Sequence, residues 1–99
     1  MKVLITAEAE ADLEAIGDYI ARDNPVRALS FVRELYQLCI DTADMPRAWP
    51  VVPRYEHHGI RRRFHGRYLI FYRMSDDRIT VLHILNGAMD VERILFPEG

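Results

Sequence analysis

The sequence predicts an α+β fold: an N-terminal strand, then a two-helix antiparallel hairpin packed on a mostly antiparallel sheet completed by three C-terminal strands. Three observations support this prediction. The chain starts with a short β-branched run, continues with two segments of helical periodicity, and then carries three apolar segments separated by short turns. With 99 residues, of which 49% are hydrophobic, we expect one domain over residues 1–99 with a single core.

The first two elements are a strand over residues 2–6, "KVLIT", and a helix that follows it. Thr6 is suited to the N-cap, because its hydroxyl can accept a hydrogen bond from an N–H group of the first turn. Apolar residues then recur at intervals of three and four, which places them on one face of an amphipathic helix. They are Ala9, Leu13, Ile16 and Ile20.

A second helix is predicted to begin at the Asn24-Pro25 pair, since asparagine is a good N-cap and proline is tolerated at the first helical position. The helix is expected to end before Pro46 and to form an antiparallel hairpin with the first helix. The residues predicted to line its buried stripe are Leu29, Val32, Leu35, Tyr36, Cys39 and Ala43, which include the only cysteine of the chain.

The three C-terminal strands are predicted over residues 60–65, 68–74 and 79–85, and short turn sequences join them into two hairpins. The last strand is apolar on both faces, which favours a central place in the sheet. The preceding segment, residues 46–59, has three prolines and a glycine. It therefore predicts a loop, which we expect to tuck Trp49 and Val51 under the core.

Charge is distributed unevenly along the chain, whose formal net charge is −2. Residues 1–46 have four basic and nine acidic side chains, a net −5, whereas the remainder has nine basic and six acidic, a net +3. This asymmetry favours a localised basic face that binds an acidic or phosphate-bearing partner. Neither a secretion signal nor an apolar run of the roughly 20 residues that a membrane span requires is present, so we expect a cytoplasmic protein.

Arginines are concentrated in the first predicted hairpin, "IRRRFHGRYLIFYR". Alternation along a strand puts Arg61, Arg63 and His65 on one face, and Arg67 and Arg73 flank the next strand. Clustered guanidinium groups bind carboxylates and phosphates through bidentate hydrogen bonds, which indicates a docking surface for an acidic peptide or a polynucleotide. Two alternatives remain at this point: the arginines can form an ordinary solvated sheet face, and the neighbouring Tyr68 can stack bases or pack in the core.

Histidines offer the only candidates for acid–base chemistry. His65, beside Arg63 and Arg67, has the residue type and neighbours that RNA cleavage requires, whereas His83 is expected to be packed or to face a partner. A purely structural role is open for both. The spacing of the histidines and the single cysteine predicts no metal site, and without a glycine-rich phosphate loop or a triad pattern we expect no cofactor.

Three segments, in this order and over nearly the whole chain, resemble the RelE/ParE superfamily of toxins from type II toxin–antitoxin modules, and the ParE branch most closely. They are "ADLEAIGDYIARDNPVRALSFVREL", the arginine-rich hairpin, and "ITVLHILNGAMD". The resemblance implies a small cytoplasmic toxin that is neutralised by a co-encoded ParD-like antitoxin, whose C-terminal segment wraps it. It also implies DNA gyrase as the target.

The superfamily contains two mechanisms, and the C-terminal segment distinguishes them. RelE-like members are ribosome-dependent mRNA endonucleases with basic residues and a tyrosine or histidine near the C-terminus, whereas residues 86–99 here contain only Arg93 of these types. The resemblance therefore implies a gyrase inhibitor that is not an enzyme; the alternatives are a RelE-like endonuclease and an inactive antitoxin-binding relative. Many ParE relatives read His-Gly-x-Arg-Asp where this chain has Asn86, Gly87, Ala88, Met89 and Asp90, so that only the glycine and the aspartate match. The residues predicted to bind antitoxin or target are Arg61, Arg63, His65, Arg67, Tyr68, Arg73, His83 and Asp90.

Overall fold

The computed structural model describes residues 1–98 and has the predicted order of strand, two helices and three strands. The elements are β1 (Lys2–Ile5), α1 (Ala7–Ala21), α2 (Pro25–Asp41), β2 (Ile60–His65), β3 (Tyr68–Met74), β4 (Arg78–Asn86) and α3 (Val91–Leu95). The four strands form one sheet in the order β1-β4-β3-β2, parallel between β1 and β4 and antiparallel elsewhere. The predicted fold class is confirmed. Within the described residues, no helix has the length and apolar character needed to cross a membrane.

Both long helices begin at the residues that the sequence indicated. The hydroxyl of Thr6 accepts a hydrogen bond from the N–H of Ala9 at 3.1 Å, and Asn24 Oδ1 accepts one from the N–H of Arg27 at 3.0 Å. Pro25 occupies the first turn of α2. Each cap satisfies an N–H group that has no partner inside the helix, so the start of each helix is fixed by local chemistry.

The helical hairpin covers one face of the sheet and encloses the larger of two apolar clusters. In β3, the side with Ile70 and Tyr72 meets the helices. The helices approach closely at Gly17, where a Cβ atom would lie 3.2 Å from Val32 Cγ2. The fully or nearly fully buried members of this cluster are Ala9, Leu13, Ile16, Leu35, Cys39, Ile70, Tyr72, Ile79, Val81 and Ile84.

The buried stripe of α2 differs from the sequence prediction. Leu35 and Cys39 are buried as expected, but Leu29 is 57% exposed and Tyr36 is 49% exposed, while Ala28 packs in their place. The reason is that α2 has apolar residues on two faces, and helical periodicity cannot tell which face meets the sheet. The face that packs in the larger cluster carries Phe31, Val32, Leu35, Leu38 and Cys39.

The other face of the sheet carries a smaller apolar cluster, covered by α3 and by residues 52–58. Its buried members are Val52, Ile60, Leu69, Phe71, Leu85 and Phe96. Phe96 stacks on Tyr55 with ring centroids 3.9 Å apart. Trp49 packs against the larger cluster, as expected, whereas Val52 is buried more deeply than Val51. The short helix α3 was not predicted from the sequence.

A carboxylate on α1 completes the edge of β4. The pairing with β1 reaches only to Val81, so the backbone of β4 beyond that residue has no strand on this side. Asp12 Oδ2 accepts hydrogen bonds from the N–H of Ile84 and from His83 Nδ1, both at 2.9 Å. Because Asp12 and His83 are 20% and 22% exposed, this link between helix and sheet is largely shielded from water.

Replacing Asp12 by alanine should lower the free energy of unfolding by about 1–3 kcal/mol, because the N–H of Ile84 and His83 would lose a partly buried acceptor. Urea unfolding followed by circular dichroism measures the change. Glu14→Ala is the matched control, since Glu14 is exposed on the same helix and its loss should cost less than about 0.5 kcal/mol. Equal effects of the two variants would contradict the proposed role of Asp12.

The thiol of Cys39 should be unreactive in the folded protein. Burial raises the pKa of this thiol to about 12, even though the nearby Arg63 guanidinium lowers it. Since the thiolate is the reactive form, a disulfide reagent such as DTNB should label native protein slowly at pH 8 and label urea-unfolded protein completely. Rapid labelling under native conditions would show that the core around Cys39 opens readily.

Candidate binding surface at the end of the sheet

The arginines of β2 that were predicted to form a docking surface point toward the helices. Arg61 Nη1 donates a hydrogen bond to the backbone oxygen of Trp49 at 2.6 Å. Arg63 Nη1 donates to Thr42 Oγ1 at 3.1 Å and to the backbone oxygen of Leu38 at 3.3 Å. Both guanidinium groups therefore contact the chain itself, at the C-terminal end of α2 and in the loop that follows.

Arg63 occupies an electrostatically favourable position. Its guanidinium carbon lies 4.0 Å from the ring centroid of Trp49, which is close enough for a cation–π interaction. The backbone oxygens in the last turn of a helix carry partial negative charge, which a cation stabilises. Arg63 thus joins β2, α2 and the loop around Trp49, and its predicted contact with antitoxin or target stays a prediction.

His65 lies on the same face as Arg61 and Arg63 but contacts a carboxylate. His65 Nε2 is 3.2 Å from Glu34 Oε1, and its ring centroid is 5.5 Å from that of Phe31. Glu34 also forms an ion pair with Arg27. The hydrogen bond from Arg27, and then that from His65, holds the pKa of the Glu34 carboxyl below its usual value. His65 therefore belongs to a charged cluster along α2.

The opposite face of β2 carries an exposed aromatic residue near the end of the strand. Phe64 is 61% exposed, and the Arg62 guanidinium lies 5.5 Å from its ring centroid. Arg67, in the turn between β2 and β3, is exposed and makes no ion pair with any residue from 1 to 98. Its backbone oxygen accepts a hydrogen bond from the N–H of Gly87 at 2.8 Å, which fixes the two turns side by side.

Two depressions flank the turn at residues 86–89, which follows β4. One is a predominantly apolar groove of ≈ 370 Å³ between α1 and the end of β4, and it includes Tyr19, Tyr68 and Met89. The other lies on the far side of the turn and includes Phe64 and Arg67. We call this region the sheet-end surface and define it by Tyr19, Phe64, Arg67, Tyr68, Ala88 and Met89.

The remaining predicted residues lie elsewhere or serve internal contacts. Arg73 is exposed, and its Nε donates to the backbone oxygen of His58 at 3.3 Å. His83 is bonded to Asp12 inside the fold. Asp90 caps α3 by accepting a hydrogen bond from the N–H of Arg93 at 3.3 Å. Of the eight predicted residues, only Arg67 and Tyr68 are therefore placed on the sheet-end surface.

Several residues that matter structurally are not among those predicted from the sequence. Asp12 and Glu34 are two of them, and their histidine partners are 71 and 31 residues away along the chain. No local pattern reports such pairs. Phe64 could have been found, because it alternates with Arg63 and His65 on a strand that lies at an edge of the sheet. No three histidine, cysteine, aspartate or glutamate side chains among residues 1–98 are grouped to hold a metal ion.

A helical hairpin packed on one face of a four-stranded sheet is the architecture expected of a toxin of the RelE/ParE type. The fold is similar to that of a solved chain from the chromosomal ParDE TA system from P. aeruginosa, with a TM-score of 0.75 and 24% sequence identity over 87% of this chain and 95% of that chain. The family model described as the ParE toxin of type II toxin-antitoxin system, parDE, matches residues 3–91. The chain belongs to this ParE toxin family. The comparison with curated proteins returned no match.

Replacing Arg63 by alanine should destabilise the protein by about 2–3 kcal/mol, because the hydrogen bonds to Thr42 and Leu38 and the stacking on Trp49 are all lost. Arg63→Lys should cost less, since lysine keeps the charge but lacks the planar fork. Arg67→Ala is the matched control and should change stability by less than about 0.5 kcal/mol. Chemical denaturation compares the three variants, and equal stability of the alanine variants would refute an inward structural role for Arg63.

Proposed function

We propose that this ParE-family toxin acts without catalysis, by binding DNA gyrase and inhibiting it, and that a co-encoded ParD-like antitoxin neutralises it in the cytoplasm. The observation that carries the proposal is the placement of the arginine-rich strand. Arg61, Arg63 and His65 each contact groups of the chain itself. These internal contacts support a structural role for the three side chains and favour protein binding over RNA cleavage.

A nuclease of the RelE type requires cations that bind the phosphate and a side chain that moves a proton. In this chain the candidate for proton transfer is His65. Its Nε2 lies 3.2 Å from Glu34 Oε1, and its ring packs beside that of Phe31. The other strand histidine, His83, shares a hydrogen bond with Asp12. These contacts favour structural roles for both histidines and weigh against the endonuclease alternative.

The sheet-end surface has the composition of a protein-binding site. Interfaces are enriched in aromatic residues, methionine and arginine, and hot spots are typically an aromatic or arginine anchor within a concave patch. Here Phe64, Tyr19 and Met89 are 61%, 65% and 49% exposed. Arg67 and Phe64 line the same depression. We assign the gyrase contact to this surface, with Asp90 in the adjoining segment.

A ParD-like antitoxin is the second partner that we propose. The similar solved chain comes from a ParDE system, and the matching family is described as the ParE toxin of a type II toxin-antitoxin system, parDE. A segment that folds as it binds gains a large contact area and loses conformational entropy. Arg73, exposed on the face away from the helical hairpin, is a candidate contact for acidic residues of such a segment.

Purified protein should inhibit the supercoiling activity of gyrase and should leave mRNA on translating ribosomes intact. Arg67→Glu should raise the concentration for half-maximal inhibition at least tenfold, because reversing an interface arginine places like or unpaired charge at the contact. Arg47→Glu is the control, since Arg47 is also exposed but lies outside the sheet-end surface. A plasmid supercoiling assay and primer extension on translated mRNA measure the two activities.

Transcript cleavage that is abolished by His65→Ala, together with unaffected gyrase, would overturn the proposal. Supercoiling that is inhibited equally by wild type and Arg67→Glu would keep gyrase as the target and remove the sheet-end surface as the contact.

A further inference from the structure

Three of the four methionines of the chain line a single depression. The depression has a volume of ≈ 590 Å³ and is bordered by the start of β1, the loop after α2 and the end of β3. Met1, Met45 and Met74 come from these three segments, and we call them the methionine cluster. Because the three residues are far apart in sequence and have no regular spacing, only the fold brings them together.

Filling the core does not account for all three side chains. Methionine usually fills irregular gaps in a core, since its unbranched side chain adapts to the space available. Met74 has this role in part, because it packs against the larger apolar cluster. Met45 and Met1, however, are 65% and 55% exposed. These two side chains are therefore accessible to a ligand that enters the depression from solvent.

Hydrogen bonds hold the backbone on all three sides of the depression. The first residue of β1 donates through its N–H to the β3–β4 turn at 2.9 Å, which fixes the neighbouring Met1. The hydroxyl of Tyr72 donates to the backbone oxygen of Pro46 at 2.5 Å, next to Met45. The pairing of β3 with β4 fixes Met74. The three methionines thus extend from anchored positions, which lowers the conformational entropy that a shared ligand must overcome.

The charges and donor atoms of the depression indicate which kind of ligand fits. Arg47 and Asp76 also line it, are exposed, and form no ion pair with any residue from 1 to 98. One charge of each sign gives the site no net charge, and a single carboxylate is a poor site for Ca²⁺ or Mg²⁺, which take several oxygen ligands. Thioether sulfur is a neutral, soft donor that suits Cu(I). The donor set therefore favours a soft monovalent ion.

We propose that the methionine cluster binds a Cu(I) ion through its three thioether sulfurs. Ag(I), which has the same charge and is also soft, serves as the air-stable probe. A bound ion connects β1, β3 and the loop after α2, so it stabilises the folded chain over the unfolded one. Met74 and Tyr68 lie at opposite ends of β3, which separates this site from the sheet-end surface. The inference does not depend on gyrase or on the antitoxin.

Methyl NMR locates the bound ion directly. Protein labelled with ¹³C at the methionine methyl groups has one signal for each of the four methionines, and single Met→Leu variants assign them. The protein carries no N-terminal tag, so that Met1 is the first residue, and the buffer contains no chloride. One equivalent of Ag(I) should shift the three signals of the methionine cluster. The signal of Met89, which is 49% exposed but lies outside the depression, should stay unchanged.

Calorimetric titration with Ag(I) tests the contribution of single sulfurs. Met45→Leu should weaken Ag(I) binding at least tenfold, because leucine nearly conserves the volume but has no sulfur. Met89→Leu is the matched control and should stay within twofold of wild type. Zn²⁺ should shift none of the methyl signals, since its ligands are thiolate, imidazole and carboxylate groups. Cu(I) supplied anaerobically as its bicinchoninate complex should transfer to wild type more completely than to Met45→Leu.

Two further observations decide between this site and binding of the ion elsewhere. Ag(I) should raise the thermal unfolding midpoint of wild type and of Met89→Leu, and should raise that of Met45→Leu less. Equal shifts of all four methyl signals, or shifts of fewer than three signals of the cluster, would refute the proposed site. Equal affinity of Met45→Leu and wild type would also refute it, because binding at the thiol of Cys39 or at a histidine would give that result.

Discussion

The fold depends on one interaction more than on any other: the Arg63 guanidinium at the C-terminal end of α2. It connects the edge strand β2 to the last helical turn through Leu38 and Thr42, and it lies on the ring of Trp49. Arg61 donates a hydrogen bond to the backbone oxygen of Trp49 in the same loop. The hydroxyl of Tyr72 donates one to the backbone oxygen of Pro46 at 2.5 Å. Burial raises the pKa of Tyr72, so this hydroxyl stays a donor. A loop with three prolines is thereby fixed against the sheet without a strand or helix of its own.

Because of this arrangement, some of the arginines that make the hairpin sequence basic contribute little to its accessible positive charge. Five arginines lie within fourteen residues of the β2–β3 hairpin, yet the two that alternate with His65 contact backbone oxygens and an indole ring. The charge that remains accessible on this hairpin belongs mainly to Arg67 and Arg73, at opposite ends of β3. Such a surface suits two separate protein contacts better than one continuous track for a nucleic acid, whose affinity depends on many adjacent cations.

The sequence predicted the elements well because their ends are set by local chemistry. Thr6 and the Asn24-Pro25 pair fixed the starts of α1 and α2, and the boundaries of β2 and β3 agree with the predicted strands. The direction of the arginines, the pairing of Asp12 with His83 and the short helix α3 depend on residues that are distant in sequence, and no local pattern contains that information. The predicted buried stripe of α2 was wrong at Leu29 and Tyr36 for a different reason: they are as apolar as the buried residues of the helix, and periodicity does not tell which apolar face meets the sheet.

The strand order has a kinetic consequence. Lys2 pairs with Arg78 across 76 positions of the chain, and β1 has no other neighbour in the sheet. During synthesis β1 is therefore made long before β4, the only strand with which it pairs. Non-local pairing of this kind raises the contact order and slows folding. The sheet can therefore close only after its central strand β4 has left the ribosome, and until then the helical hairpin lacks the sheet surface that it covers in the folded protein.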